Sequence, residues 1–247
     1  MPPTGPASER RSARTAVVWS GLQPVLDRAP HQEVLDIGGG TGGFAVGVAE
    51  LGHRVRVVDP SPDALASLDR RARESGVDDR VTGQQGDLSS LLDVADPGSA
   101  DVVLCHGVLE VVDDPAVALA TIAEVLRPGG MLSLLVAQHH AAVVARAMAG
   151  HFEQARSLLD GAPPGQLGPT GRSGRRFTDD ELTVLLSGAG FTVATTHAVR
   201  VFADLVPGSL LDLEPGATAA LLELEEAVSE RAEYRPLAAQ LHVLASR

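Results

Sequence analysis

The stretch Val34-Leu35-Asp36-Ile37-Gly38-Gly39-Gly40-Thr41-Gly42-Gly43 limits what this chain can fold into more than any other. A short apolar run ends there in glycines, and Phe44, Val48 and Leu51 then recur at helical spacing until Gly52, which predicts strand, tight turn and helix. Two ligand spacings coexist in the run. Gly38-x-Gly40-x-x-Gly43 is the dinucleotide spacing, in which glycine lets a pyrophosphate approach the N-terminus of the following helix. Asp36-x-Gly38-x-Gly40-x-Gly42 is led by an acid, which repels pyrophosphate and suits the cationic end of an amino acid.

The unit then repeats in altered forms. Arg54 to Val58 predicts a second strand ending at Asp59, and Ser61-Pro62 caps and opens a helix that runs to Gly76. Val81 to Gln85 and Val102 to Cys105 predict strands that end before Asp87 and His106. Pro115 to Leu126 is an apolar-periodic helix closed by Pro128-Gly129-Gly130, and Met131 to Val136 is a continuous apolar strand. Such strands alternating with helices indicate a parallel sheet covered on both faces. Beyond it, His139 to about Asp160 predicts one helix, and 161–177 hold enough Gly and Pro for a loop or lid. Thr178 to Glu181 is a capping box for a helix ending near Gly190. Phe191 to Val201 is a strand, Ala217 to Arg231 a helix and Leu241 to Ala245 a final strand.

The expected fold is therefore α/β, Rossmann-like and doubly wound: a mostly parallel seven-stranded sheet with helices on both faces and an antiparallel C-terminal strand. Residues 1–12 are expected to form a flexible tail, and 13–247 a single domain with a lid or acceptor-binding insertion at about 139–177. With 44% apolar and 21% charged residues the chain can bury a sizeable core. One cysteine, Cys105, excludes an internal disulfide framework and a cysteine-based zinc site, so no metal is expected. No apolar run suits a signal peptide or a membrane span, and the default location is cytoplasmic. A net charge of -12 opposes a broadly basic nucleic-acid surface but leaves local patches at Arg10, Arg11 and Arg14 and at Arg172, Arg175 and Arg176.

In a doubly wound sheet the ligand lies across the carboxyl ends of the strands, so Asp36, Asp59, Asp87 and His106 converge on one edge. Asp59 can accept both ribose hydroxyls, and Asp87 can accept from an adenine amine. This pattern resembles class I S-adenosylmethionine-dependent methyltransferases, and Leu126-Arg127-Pro128-Gly129-Gly130 is similar to that family's lead into its fifth strand. Further stretches resemble, within the family, the bacterial tRNA 5-carboxymethoxyuridine methyltransferases. These are Ser12 to Trp19, Leu35 to Gly40, Cys105 to Val111, Ala149 to Phe152, Val199 to Phe202, and Leu221 to Glu225 followed by Tyr234 and Leu241-His242-Val243.

The resemblance implies that S-adenosylmethionine is bound and S-adenosylhomocysteine released. It implies Arg14 for the methionine carboxylate, with Asp36, Gly38, Gly39 and Gly40 lining the cofactor. Asp59 and Pro60 would flank the ribose, Gln85, Gly86, Asp87 and Leu88 would frame the adenine, and His106 would close the site. The implied reaction is methyl transfer to the carboxylate of a carboxymethoxy group on wobble uridine. A carboxylate is already ionised near neutral pH, so the chemistry needs an anion-orienting residue more than a base. Arg200 is the first candidate, with His139, His140 and Tyr234 as further pocket members. The partner would be the tRNA anticodon region, met by Arg172, Arg175 and Arg176. A small-molecule carboxyl or hydroxyl acceptor is the rival, and the remaining alternatives are an NAD-dependent oxidoreductase and a non-catalytic cofactor-binding protein.

Overall fold

The computed structural model describes residues 6–159, 174–213 and 216–247. Seven strands form one sheet in the order β3-β2-β1-β4-β5-β7-β6, with six strands parallel and the C-terminal strand antiparallel. They are β1 (Glu33–Ile37), β2 (Arg54–Asp59), β3 (Val81–Gln85), β4 (Ala100–His106), β5 (Leu126–Ala137), β6 (Thr192–Val199) and β7 (Gln240–Ser246). The helices are α1 (Pro6–Leu26), α2 (Ala45–Glu50), α3 (Pro62–Glu74), α4 (Leu91–Val94), α5 (Pro115–Val125), α6 (His139–Met148), α7 (Phe152–Leu159), α8 (Asp179–Gly188), α9 (Gly208–Leu213) and α10 (Ala217–Ser229). The expected fold class is the one observed.

The chain divides into two compact units. The first comprises Leu22–Val136, Leu182–Ala194 and Val243–Arg247, and the second Met1–Gly21, Ala137–Glu181 and Thr195–His242. In the first, β1 pairs in parallel with β2 and β4, so Ile37 lies level with Val58 on one side and Cys105 on the other. Sheet order reverses at β1, the strand that carries the glycine turn, and such a switch point is where α/β sheets leave a crevice. Leu35, Ile37, Val57, Val58 and Leu104 are buried in the strands, and Leu68, Leu119 and Ile122 in the covering helices. Each such side chain contributes about 1.5–3 kcal/mol by leaving water.

Local signals explain the helix ends. The Ser61 hydroxyl accepts from Ala64 N at 3.2 Å with Pro62 in the first turn, a cap worth about 1 kcal/mol. Thr178 and Glu181 form the reciprocal box at α8, with Thr178 N donating to Glu181 Oε2 at 2.8 Å and Glu181 N to Thr178 Oγ1 at 3.2 Å.

Two expectations are corrected. The helix predicted from His139 to about Asp160 is two helices, because His151 N turns back to Arg146 O at 2.9 Å and closes α6 before α7 begins. Pro128-Gly129-Gly130 does not separate α5 from a strand beginning at Met131, because β5 begins at Leu126. It lies within β5, where Gly129, at φ +78, interrupts the extended backbone and Gly129 N donates to Arg247 O and Arg247 N to Gly130 O. On α2 the buried face is Ala45, Val46, Val48 and Ala49, while Leu51 is 48% exposed. Phe44 packs its ring edge against His106, with centroids 4.7 Å apart.

Candidate active site

In the first unit the glycine turn is built around two carboxylates. Gly38 has φ +68, and a Cβ there would meet Val108 Cγ2 at 2.4 Å, so both its conformation and its space exclude a side chain. A Cβ on Gly39 would fall 2.3 Å from Asp36 Oδ2, because the Asp36 carboxyl lies directly beneath the turn. Asp36 is 3% exposed. Burial, with repulsion from Asp59 added, pushes its carboxyl up to about 7.

Asp59, at the end of β2, is buried and holds the turn in place. Its Oδ2 accepts from Gly40 N at 2.9 Å and its Oδ1 from Ser61 N at 2.9 Å, which ties the glycine turn to the start of α3. Gly86 N donates to Asp59 O at 3.3 Å, and Gln85 Nε2 to Pro60 O at 3.3 Å, so the ends of β2 and β3 are joined. Asp36, Gly38, Gly39, Gly40, Asp59, Pro60, Gln85 and Gly86 are thus brought together.

Asp87 and Leu88 follow on the same edge. Asp87 Oδ1 accepts from Ser89 N at 2.9 Å and Ser90 N at 3.1 Å, so this oxygen caps the short turn Leu88–Ser90. The Ser89 hydroxyl, followed by these backbone donors, holds the Asp87 carboxyl below its usual range. Leu88 is buried. His106 ends β4, beside the glycine turn. Its Nε2 lies 2.9 Å from Ser133 Oγ, and loss of hydration pushes the imidazole down to about 4, so the ring is neutral at physiological pH.

The second unit holds the other candidates. Arg200 follows β6 with φ +62, and among the described residues only His31 shares positive φ without being glycine. Its Nε donates to Asp204 Oδ1 at 3.2 Å, its Nη2 pairs with Asp204 Oδ2, and its Nη1 reaches Gln240 Oε1 at 3.4 Å. The Arg200 carbonyl accepts from Ala239 N at 3.2 Å, and the Ala239 carbonyl accepts from Gln138 N at 3.0 Å. This backbone relay connects Arg200 to the residue preceding His139. His139 N donates to Phe177 O at 3.0 Å, and the His139 and His140 rings meet edge to face at 5.5 Å. His140 Nδ1 lies 3.1 Å from Gln138 Nε2. The Tyr234 ring meets Phe202 at 6.1 Å over the cluster of Ala198, Val201, Val228 and Ala238. Arg175 and Arg176 are partly buried, whereas Arg172 and the side chain of Arg14 lie outside the described residues, as does most of the expected lid.

Sequence reasoning missed several members. Glu225 is 2% exposed, and its carboxylate accepts from Val201 N, Phe202 N and Ala203 N at 2.9, 2.8 and 2.7 Å. Its signal was present, since Glu225 shares a helical stripe with buried Leu221 and Val228, an acid where an apolar residue belongs. Asp204, Gln240, Ser133 and Val108 had no such signal. Among the described residues no group of His, Cys, Asp and Glu could hold a metal, and no helix is long and apolar enough to cross a membrane.

The first unit fits S-adenosylmethionine on its own chemistry. A buried carboxyl pushed up to about 7 favours a cationic neighbour, which the ligand's amino group offers, and the Cβ-free turn above it leaves backbone open to close approach. When bound, this cofactor supplies a methyl group activated by a positively charged sulfur. Comparison with known proteins agrees. Residues 35–134 match a family model described as a methyltransferase domain. The tRNA 5-carboxymethoxyuridine methyltransferase of Escherichia coli K12 is 32% identical over 95% of this chain and 88% of its own length. An S-adenosylmethionine-dependent methyltransferase from Mesorhizobium loti superposes with a TM-score of 0.64 at 20% identity, covering 95% of this chain and all of that one. Magnesium protoporphyrin IX methyltransferase from Synechocystis PCC 6803, solved with bound S-adenosylhomocysteine, gives a TM-score of 0.60 at 18% identity over 96% and 83% of the two chains. This chain belongs to the S-adenosylmethionine-dependent methyltransferases.

Proposed function

We propose that this enzyme methylates the carboxylate of 5-carboxymethoxyuridine at the tRNA wobble position, giving the methyl ester. The observation that carries the reading is the extent of the match to the E. coli enzyme. At 95% coverage it runs well past residues 35–134, the part common to the methyltransferase domain, into the segments that hold Arg200 and Tyr234.

The reaction asks little of proton chemistry. A lone pair on the acceptor carboxylate forms the new O–CH3 bond as the S–CH3 bond breaks, its electrons going to sulfur, and no proton moves. The enzyme's contribution is then alignment and exclusion of water. Arg200 offers a planar fork of N–H donors that matches a carboxylate, and its turn is fixed by Glu225. Asp36, Gly38 to Gly40, Asp59, Pro60 and Gln85 to Leu88 hold the cofactor, with Arg14 on its carboxylate and His106 as a neutral wall. His139, His140 and Tyr234 line the acceptor side. Arg172, Arg175 and Arg176 take tRNA phosphates in the cytoplasm.

The test is nucleoside mass analysis of tRNA bearing unesterified carboxymethoxyuridine after incubation with the enzyme and S-adenosylmethionine. A gain of one methylene on that nucleoside is expected. No gain, with S-adenosylhomocysteine still raising the melting temperature, would refute the acceptor and redirect attention to small-molecule carboxylates. Replacing Arg172, Arg175 and Arg176 with glutamine should weaken tRNA binding and flatten its salt dependence. Unchanged turnover across salt would refute phosphate docking there.

A further inference from the structure

The guanidinium of Arg200 already holds a carboxylate, and it comes from the same chain. Its Nε and Nη2 edge, the pair of donors that best matches two carboxylate oxygens, is taken by Asp204 Oδ1 and Oδ2. Asp204 lies four residues on, in a turn where Leu205 N and Val206 N both return to Phe202 O, at 2.8 and 3.1 Å. The same segment is anchored from behind by Glu225. A non-glycine residue at φ +62 persists only when its surroundings fix it. Here three consecutive N–H groups converge on one buried carboxylate, and the Arg200 carbonyl is held by Ala239 N.

The two acids differ in one respect that matters. Glu225 is buried at 2% exposure and serves the backbone, whereas the Asp204 side chain is 32% exposed and pairs with the guanidinium. Asp204 can therefore leave for water without unmaking the turn.

Resting on the reading of Arg200 as the group that binds the acceptor carboxylate, we infer that Asp204 is an internal substitute for that carboxylate, displaced when acceptor binds and returning when the ester forms. Acceptor binding is then an exchange of one carboxylate for another. A neutral acceptor cannot make the exchange, so the device selects for an anion. Methylation removes the acceptor's negative charge, and the ester loses its hold on Arg200 while Asp204 keeps its own. Asp204 thereby couples the chemical step to product release.

The consequence is measurable, because a site that is open only part of the time binds in proportion to its open fraction. A partly exposed ion pair of this kind lowers that fraction about two- to fivefold. Asp204→Asn removes the competitor and keeps the shape. Asp204→Ser serves as a second variant, and Asp204→Glu restores the charge. Each variant is accepted once its affinity for S-adenosylhomocysteine matches that of the wild type.

Calorimetric titration of the S-adenosylhomocysteine-loaded proteins with the nucleoside 5-carboxymethoxyuridine, and separately with its methyl ester, reads the effect. The acid should bind D204N and D204S about two- to fivefold tighter than wild type. The ester should change less, and D204E should move back toward wild type. Equal acid affinity in wild type and D204N overturns the inference, and esterification of tRNA by the wild type would show that the reading of the acceptor still stands. Failure of the acid to bind any of the proteins, together with no ester on tRNA, overturns both.

Discussion

Asp36→Asn should stabilise the ligand-free enzyme at alkaline pH while weakening its hold on the cofactor. The Asp36 carboxyl has its pKa raised from 3.8 to about 7, first by burial and then by Asp59. A raised acid pKa means that the folded chain keeps its proton where the unfolded chain has lost it. The contribution to stability is therefore greatest below pH 3.8, declines as pH rises toward 7, and is flat above. The whole decline amounts to at most about 4 kcal/mol, or on the order of 10 °C in melting temperature for a chain of this size. Asparagine has the shape of the protonated acid and no charge to bury, so it removes the decline.

Melting curves of wild type and D36N between pH 4 and pH 8.5, without ligand, give the answer as a difference that cancels the other titrating groups. The two proteins should melt close together at pH 4 and separate with rising pH, D36N being the more stable near pH 8. Addition of S-adenosylhomocysteine should then raise the wild type more than the variant, because only the carboxylate gains a cationic neighbour. A melting difference that does not vary with pH would refute the assigned cost of burying Asp36.

His106 should show the opposite pH dependence, since its folded pKa is lowered to about 4. Its contribution is complete above about 6.5 and is lost as pH falls toward 4, so in melting curves the stability of wild type relative to H106Q should fall over that interval and stay level above it. Gly39→Ala places a methyl 2.3 Å from Asp36 Oδ2 and should cost about 1–3 kcal/mol and most S-adenosylhomocysteine affinity, read by melting and calorimetry; wild-type values for both would refute the close approach. Glu225→Gln turns an amide N–H toward one of the three backbone N–H groups, at a cost of about 1–3 kcal/mol. If Glu225 positions Arg200, the loss should also appear in KM for the acceptor with cofactor affinity unchanged, and equal loss of both would reduce Glu225 to a structural role.

The edge shared by the strand-end acids and the glycine turn was legible from sequence because its determinants are local. Asp36, the glycines, Asp59 and Gln85 to Leu88 sit at strand ends, where alternation of strand and helix already dictates the edge they share. The capping signals at Ser61 and Thr178 are likewise complete within four residues. The single helix expected after β5 failed for a related reason, since periodicity continues through a break that one backbone bond from His151 N decides. Pro128-Gly129-Gly130 reads as the close of a helix because its place in β5 depends on hydrogen bonds to Arg247, more than a hundred residues away.

The sequence by itself determined the chemistry on offer: an acid-led glycine turn, acids at successive strand ends, and an arginine after the sixth strand. Only the tertiary structure decided how those charges are spent. Asp36 is pressed beneath the turn, Asp59 ties two elements together, and Glu225 and Asp204 take opposite parts around Arg200, one buried on the backbone and one poised on the guanidinium. A carboxylate's role depends on its hydration and on which donors reach it, and chain folding brings those donors from positions that no local pattern connects.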